Sequence, residues 1–123
     1  MSYFGHYPSI ELQALAFVER VKSKSPEDQS IDTEWNGFAV QLGYLHDLKI
    51  AERQFSSALV IAEIAIPPKY QCEKWLSRYC QFCRLLTNDA PLILSADLDW
   101  VEEIVSAHQP PFEILGTRTW LWE

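Results

Sequence analysis

Apolar residues recur at helical spacing near the start of the chain. The steps of three and four between them are those of one helix face, and the residues are Ile10, Ala14, Phe17 and Val21. Ser9 stands where an N-cap stabilises a first turn, and Glu11 places negative charge near the positive end of the helix dipole. The pattern predicts a helix over residues 9–23.

A second helical pattern follows. Residues 25–28, Ser-Pro-Glu-Asp, combine a capping hydroxyl, a proline suited to the first helical position and two carboxylates. Apolar residues then recur at steps of four and three: Ile31, Trp35, Phe38, Leu42 and Leu45. We therefore expect a helix from residue 25 to about residue 45. The alternative is a type I′ turn at Asn36-Gly37 that leads into a strand over residues 38–42.

Two longer apolar segments occupy the middle of the chain. Residues 50–66 are apolar around most of a helical wheel and predict a buried helix, although the β-branched stretch 58–66 also fits a central strand. Pro67-Pro68 ends this segment in either case, because proline has no N–H to continue a helix or a ladder. Residues 69–86 place apolar side chains on one side and polar ones on the other, which predicts an amphipathic helix.

The last third of the chain mixes both patterns. Residues 92–94 are a short extended candidate, and Ser95 can cap a final helix. Gly116-Thr117 separates two strand-like runs and suits a type II′ hairpin. Since an isolated hairpin is marginally stable, we expect it to pack on the helices or to pair with residues 92–94.

These elements predict a mainly α protein: a single-domain antiparallel helical bundle of about five helices with a small C-terminal β-hairpin. The alternative is an α+β fold in which residues 38–42 and 58–66 are strands. The length of 123 residues fits one globular domain over residues 1–123.

Composition narrows the classes of partner. Ten Lys and Arg against seventeen Asp and Glu give a formal charge of −7, which repels phosphate backbones and anionic lipids and favours a basic protein partner. We expect no nucleic-acid or membrane partner. The first residues lack the pattern of a secretory signal, and the odd count of three cysteines suits reduced thiols. Both observations predict a cytoplasmic protein.

The cysteines are the metal candidates of the sequence. Cys80 and Cys83 form a C-x-x-C motif, and Cys72 precedes them. Zinc usually takes four ligands, and no second motif supplies the rest. Redox exchange needs a thiol activated near a helix N-terminus, whereas this motif lies deep inside a predicted helix. Because positions 72, 80 and 83 share one side of that helix, we expect core packing, with no metal and no cofactor.

Aromatic residues at the two ends of the chain are the candidate binding residues. They are Tyr3, Phe4, Tyr7, Trp120 and Trp122. Tryptophan and tyrosine are enriched at interfaces, so these residues predict a surface for a partner or for homo-oligomer formation. The alternative is that they pack on the rest of the domain.

The carboxylates do not suggest a catalytic centre. Asp32, Glu34, Asp97 and Asp99 are expected on solvated helix faces. Glu63 would become the most notable acid if residues 58–66 formed a buried strand. Without a catalytic motif, the sequence leaves enzymatic activity open but favours a protein that is not an enzyme.

Three functional hypotheses follow. The first is a non-catalytic acidic protein-binding module, of the inhibitor or immunity type, that masks a basic partner. The second is a small-molecule site between helices or at a homodimer interface. Its aromatic lining would be Trp35, Phe38, Trp75 and Tyr79. The third is a zinc-stabilised domain that uses the three cysteines.

Overall fold

A single mixed sheet with helices on one face organises the protein. The computed structural model describes residues 9–22, 27–87, 90–107 and 112–122. Within these residues the helices are α1 (Ile10–Lys22), α2 (Glu73–Thr87) and α3 (Asp99–Ala107). The strands are β1 (Gln29–Trp35), β2 (Phe38–Ile50), β3 (Arg53–Ala65), β4 (Leu92–Ser95), β5 (Phe112–Gly116) and β6 (Thr119–Trp122), and a short 3-10 helix spans Pro68–Tyr70.

The strands lie in the order β1-β2-β3-β4-β6-β5. Strands β1 to β3 form an antiparallel meander, and β4 pairs in parallel with β3. A parallel pair needs a crossover connection, which α2 provides. Strand β6 then lies antiparallel between β4 and β5. The central position of β4 explains why its first three residues, Leu92, Ile93 and Leu94, are apolar and buried, since the strand is covered on both faces.

The expected helical bundle is therefore wrong. The helices predicted over residues 25–45 and 50–66 are strands β1, β2 and β3. Asn36 and Gly37 take positive φ angles of 50° and 83° and form the turn between β1 and β2, as the type I′ alternative requires. The α+β alternative is closer: β2 contains all of residues 38–42, and β3 contains residues 58–65.

The helices predicted at 9–23 and 69–86 are present as α1 and α2, but α2 begins at Glu73, after the 3-10 helix Pro68–Tyr70, and residue 23 lies outside the described residues. The Ser9 hydroxyl accepts a hydrogen bond from the Leu12 N–H at 3.0 Å, as an N-cap does. The final helix begins at Asp99 rather than directly after Ser95.

The C-terminal hairpin is confirmed, and β6 pairs with β4 as one of the two expected arrangements. Its turn differs from the predicted one. Gly116 pairs with Thr119, so Thr117 and Arg118 occupy the turn, and Arg118 takes a positive φ of 48°.

The two faces of the sheet carry separate apolar clusters. The helix-side face packs against all three helices through residues such as Leu42, Ile61 and Leu94. The opposite face holds a smaller cluster made by strands alone: Phe55, Ala58, Val60, Ile93, Leu115 and Leu121. The tip of the β2–β3 hairpin reaches the edge strand β5, where Arg53 donates to the Glu113 carboxylate at 3.0 Å. One end of the opposite face is thus closed by the hairpin.

A buried glutamine joins α1 to the edge strand β1. The Gln13 side chain is fully buried. Its amide nitrogen donates to the Glu34 carbonyl at 2.9 Å, and its carbonyl accepts from the Glu34 N–H at 3.0 Å. The side-chain amide thus makes the two hydrogen bonds that the backbone of a further strand would make with Glu34. It thereby protects part of an exposed sheet edge.

We expect Gln13→Ala to lower the free energy of unfolding by about 2 kcal/mol, because it leaves a backbone donor and a backbone acceptor without these partners. Urea unfolding measures the change. The control is Gln54→Ala, at an exposed position, which should stay within about 0.5 kcal/mol of the original protein. Equal effects of the two substitutions would contradict this role of Gln13.

Candidate functional site

A crevice opens where β3 and β4 separate. Pairing between these parallel strands ends at Ile61 and Leu94, while β3 continues to Ala65 and the chain after β4 turns away through residues 96–98. A cavity of about 670 Å³ occupies this end of the sheet. Open sheets commonly bind ligands beyond the carboxyl ends of their parallel strands. The crevice is therefore a candidate binding site.

Small side chains and a bulge make room for the crevice. Three alanines, Ala39, Ala62 and Ala65, are among its lining residues. Gln41 pairs with Glu63 and Leu42 with Ile61, which leaves Ala62 without a partner in the ladder. Such a bulge bends its strand and increases the local twist. The local geometry of β3 therefore helps to separate it from β4.

Acidic side chains surround the crevice. Asp32, Gln41 and Glu63 are paired across β1, β2 and β3 and form one row. Glu34 lies two positions further along β1, and Asp97 comes from the chain that follows β4. All four carboxylate side chains belong to exposed residues. The described residues that line the crevice include no Lys, Arg or His, so the charges on its lining are all negative, although Arg118 from outside the lining pairs with Asp97.

These carboxylates act as separate charges. Neighbouring strands are about 4.8 Å apart, so the backbones at Asp32 and Glu63 are separated by roughly 10 Å. Among the residues that the structure describes, no group of three or more His, Cys, Asp or Glu side chains is arranged to hold a metal ion. The arrangement suits several cationic groups spread along a ligand.

Arg118 holds one wall of the crevice. Its guanidinium donates to Asp97 at 2.8 Å, to Asp99 at 2.6 Å and to Glu102 at 3.3 Å. The hydrogen bond with Asp99, followed by the charges of its acidic neighbours, raises the pKa of Arg118 above its ordinary value. The Arg118 carbonyl also accepts from the Ala96 N–H at 3.2 Å. The Asp97 side chain is nevertheless 95% exposed and can accept further donors.

A second cavity of about 510 Å³ adjoins the crevice. Its own lining is largely apolar and includes Ile66, Pro67 and Trp100. Glu34 and Leu98 line both cavities. The two cavities are therefore parts of one continuous surface at this end of the sheet.

The aromatic candidates from the chain ends do not line this surface where they are described. Trp120 is 3% exposed and belongs to the helix-side core. Trp122 is partly buried and packs edge-on against Phe112, with ring centroids 4.8 Å apart. Tyr3, Phe4 and Tyr7 lie outside the described residues.

Three of the second set of aromatic candidates, Phe38, Trp75 and Tyr79, pack against one another. Phe38 lies 6.2 Å from Trp75, and Trp75 lies 5.1 Å from Tyr79, measured between ring centroids. Tyr70 adds a further contact with Phe38 at 5.0 Å. Neither Trp35 nor any of these rings lines either of the two cavities described above.

The three cysteines lie in two environments. Cys80 and Cys83 are buried in the core side of α2, whereas Cys72, just before α2, is exposed. Burial raises the pKa of the Cys83 thiol to about 12 and also raises the pKa of Cys80. Both effects keep the two thiols neutral and unreactive, because the thiolate is the nucleophile.

We expect a maleimide reagent near neutral pH to label Cys72 alone in the folded protein. All three cysteines should react in denaturant, and intact-mass spectrometry counts the additions. Cys72→Ser should abolish rapid labelling of the folded chain. Rapid labelling that persists in Cys72→Ser would show that the core side of α2 opens readily to solvent.

Asp32, Glu34 and Asp97 were expected on solvated helix faces, and that expectation is wrong: Asp32 and Glu34 lie on β1, and Asp97 precedes α3. Glu63 lies on β3, as the strand alternative for residues 58–66 requires. One signal for this acidic site was present in the sequence. The strand alternative for residues 58–66 singled out Glu63 as a candidate functional acid. Nothing local in the sequence indicates that Asp32 and Glu63 share a row, because strand register creates that row.

Comparisons with protein-family models, with curated proteins and with solved structures found no match to the chain. In the part of the chain that the structure describes, none of the helices has the length and apolar character needed to cross a bilayer.

Proposed function

We propose that this protein is a non-catalytic binding module whose acidic crevice takes up a basic segment of a partner protein and masks it. The observation that carries the proposal is the ring of four carboxylates, Asp32, Glu34, Glu63 and Asp97, around a cavity whose described lining contains no basic residue. The net charge of −7 supports the same partner, because it attracts positively charged surfaces over long range.

The spacing of the acids favours a protein segment over a single ion. An extended chain advances about 3.3 Å per residue and its successive side chains point to opposite sides, so cationic residues on one side are separated by roughly 7 or 13 Å when they lie two or four positions apart. These distances bracket the roughly 10 Å separation of Asp32 and Glu63 across the sheet, and the long side chains of Lys and Arg can span the difference. A basic segment that crosses β1 to β3 can therefore place successive Lys or Arg side chains near successive carboxylates.

The strength of binding depends on several weak pairs acting together. A solvent-exposed ion pair contributes at most about 1 kcal/mol and is screened by salt. Four exposed carboxylates thus support binding that is fast to form and sensitive to ionic strength. The proposal places the protein in the cytoplasm, and the exposed free thiol of Cys72 supports a reducing compartment.

The test uses a fluorescent decapeptide of Lys, Gly and Ser and a second peptide in which Glu replaces Lys. Fluorescence anisotropy should show saturable binding of the basic peptide at about 10 mM salt, where the screening length is about 30 Å. Its affinity should fall at least tenfold at about 1 M salt, where that length is about 3 Å. The acidic peptide should not bind.

A polyamine provides the competing explanation, since it also carries spaced cations. If spermidine binds as tightly as the basic peptide, the crevice is a small-cation site rather than a protein-binding site. Salt-independent binding of the basic peptide, or no binding, would also contradict the proposal.

A further inference from the structure

We propose that the second cavity is an anchor pocket for an apolar side chain of the same partner segment, so that the recognised sequence carries a Leu-like or aromatic residue two positions from a cation. This inference rests on the proposed function and deepens it. The binding surface would then recognise two features of its partner. The crevice would bind the spaced positive charges, and the adjoining pocket would bind one apolar side chain.

The continuity of the two cavities is the first support. Glu34 and Ala39 line both of them from β1 and β2, and Ala65 and Leu98 line both from the other side. A ligand segment that enters the crevice therefore meets the second cavity without crossing a barrier of large side chains. One continuous segment can occupy both.

The chemistry of the second cavity differs from that of the crevice. Ile66, Pro67 and Trp100 contribute to its lining, and Glu34 is its only described charged residue. A volume of about 510 Å³ lies within the roughly 300–1,000 Å³ of cavities that take up small organic groups. An apolar group of the partner is released from water here, whereas a second cation would find one carboxylate only.

Trp100 is held in a position to act as the main contact. It lies in the first turn of α3, is partly buried and packs against the helix-side core. A ring fixed by such packing loses little freedom when a ligand binds, and tryptophan is among the residues that most often dominate binding energy at interfaces. We therefore expect substitution of Trp100 to reduce the affinity for an apolar anchor more than substitution of any other lining residue.

The position of Glu34 defines the order of residues in the partner. Since Glu34 borders both cavities, a cation paired with it lies next to the apolar anchor. In an extended segment, successive side chains point to opposite sides, so two side chains that face the same surface lie two positions apart. The anchor and this cation are thus expected two positions apart.

The experiment compares two fluorescent decapeptides of equal length and charge. One contains only Lys, Gly and Ser, and in the other a Gly two positions away from a Lys is replaced by Leu. The original protein should bind the Leu peptide about tenfold more tightly, which is the lower end expected for burying one Leu side chain. Trp100→Ala should reduce this affinity ratio to about one.

Trp35→Ala is the matched control, because Trp35 is a partly exposed tryptophan that lines neither cavity. The control should keep the tenfold ratio. Should Trp100→Ala fail to fold, nuclear Overhauser effects between the Leu methyl groups and the Trp100 ring provide an independent readout in the original protein, and their absence would overturn the inference.

The outcomes separate the two proposals. If both peptides bind and their affinities are equal, the anchor pocket is wrong and the acidic crevice stands. If neither peptide binds, both proposals are wrong. If the ratio is tenfold but survives Trp100→Ala, the Leu residue binds elsewhere and the anchor pocket is overturned.

Discussion

Neutralising three carboxylates of the crevice together, Asp32→Asn, Glu34→Gln and Glu63→Gln, is expected to weaken the binding of a basic peptide by roughly 30- to 100-fold at low salt. Each exposed pair contributes up to about 1 kcal/mol, and about 1.4 kcal/mol corresponds to a factor of ten in affinity. The substitutions change only charge, since Asn and Gln keep the size of the side chains. Fluorescence anisotropy at low and high salt measures both the loss and its salt dependence.

The matched control removes the same number of charges from other surfaces. Glu19→Gln, Glu52→Gln and Glu103→Gln together alter the net charge equally, and these exposed residues line neither cavity. The control should weaken binding by no more than about threefold, through the loss of long-range attraction alone. If the two triple variants lose affinity equally, the peptide is attracted by the net charge of the protein and does not bind in the crevice.

The largest loss of stability is expected from Leu94→Ala, at about 3–5 kcal/mol. Leu94 is fully buried in the helix-side core and pairs with Ile61 on β3 and with Trp120 on β6. Truncating a core leucine removes apolar contacts and leaves a cavity. Because whole domains are stable by only about 5–15 kcal/mol, this single change should remove a large share of the stability. Urea or thermal unfolding measures it.

Two controls define the origin of this effect. Leu85→Ala, at a position on α2 that is 67% exposed, should change the free energy of unfolding by less than about 0.5 kcal/mol. Leu94→Met, which nearly conserves volume, should cost less than about 1.5 kcal/mol. If Leu94→Ala were as mild as Leu85→Ala, β4 would not be the central strand of the sheet.

The sequence predicted the elements whose signals are local. Ser9 and the apolar spacing after it indicate α1, and the two-sided polarity of residues 69–86 indicates α2. The C-terminal hairpin also follows from its turn and its flanking strand-like runs, although the turn lies one residue later than predicted. In these segments local preference and tertiary packing agree.

The helices expected over residues 25–45 and 50–66 are strands because apolar residues on both faces of the sheet hide the alternation that identifies a strand. Val40 and Leu42 point to the helix-side core and Leu45 to the opposite cluster, so apolar residues on both faces imitate helical spacing. The central part of β3 is buried on both faces and cannot be distinguished from a buried helix by periodicity. The Asn36-Gly37 turn was the local signal that favoured the correct alternative.

The site itself depends on register rather than on local sequence. Asp32 and Glu63 meet only because β2 pairs with both β1 and β3, and this pairing follows from the fold as a whole. The aromatic residue Trp120, chosen for its chemistry, is buried because β6 lies inside the sheet between β4 and β5. Residue composition therefore predicts the net negative charge but not the location of the crevice.

Amide chemical shifts recorded during titration with the Lys-containing decapeptide locate the binding site on the protein. Saturable shifts should concentrate at Asp32, Glu34, Gln41, Glu63 and Asp97, and they should fade together as salt is added. Shifts centred on another surface, or scattered changes that never saturate, would show that the divergence of β3 and β4 does not create the binding site.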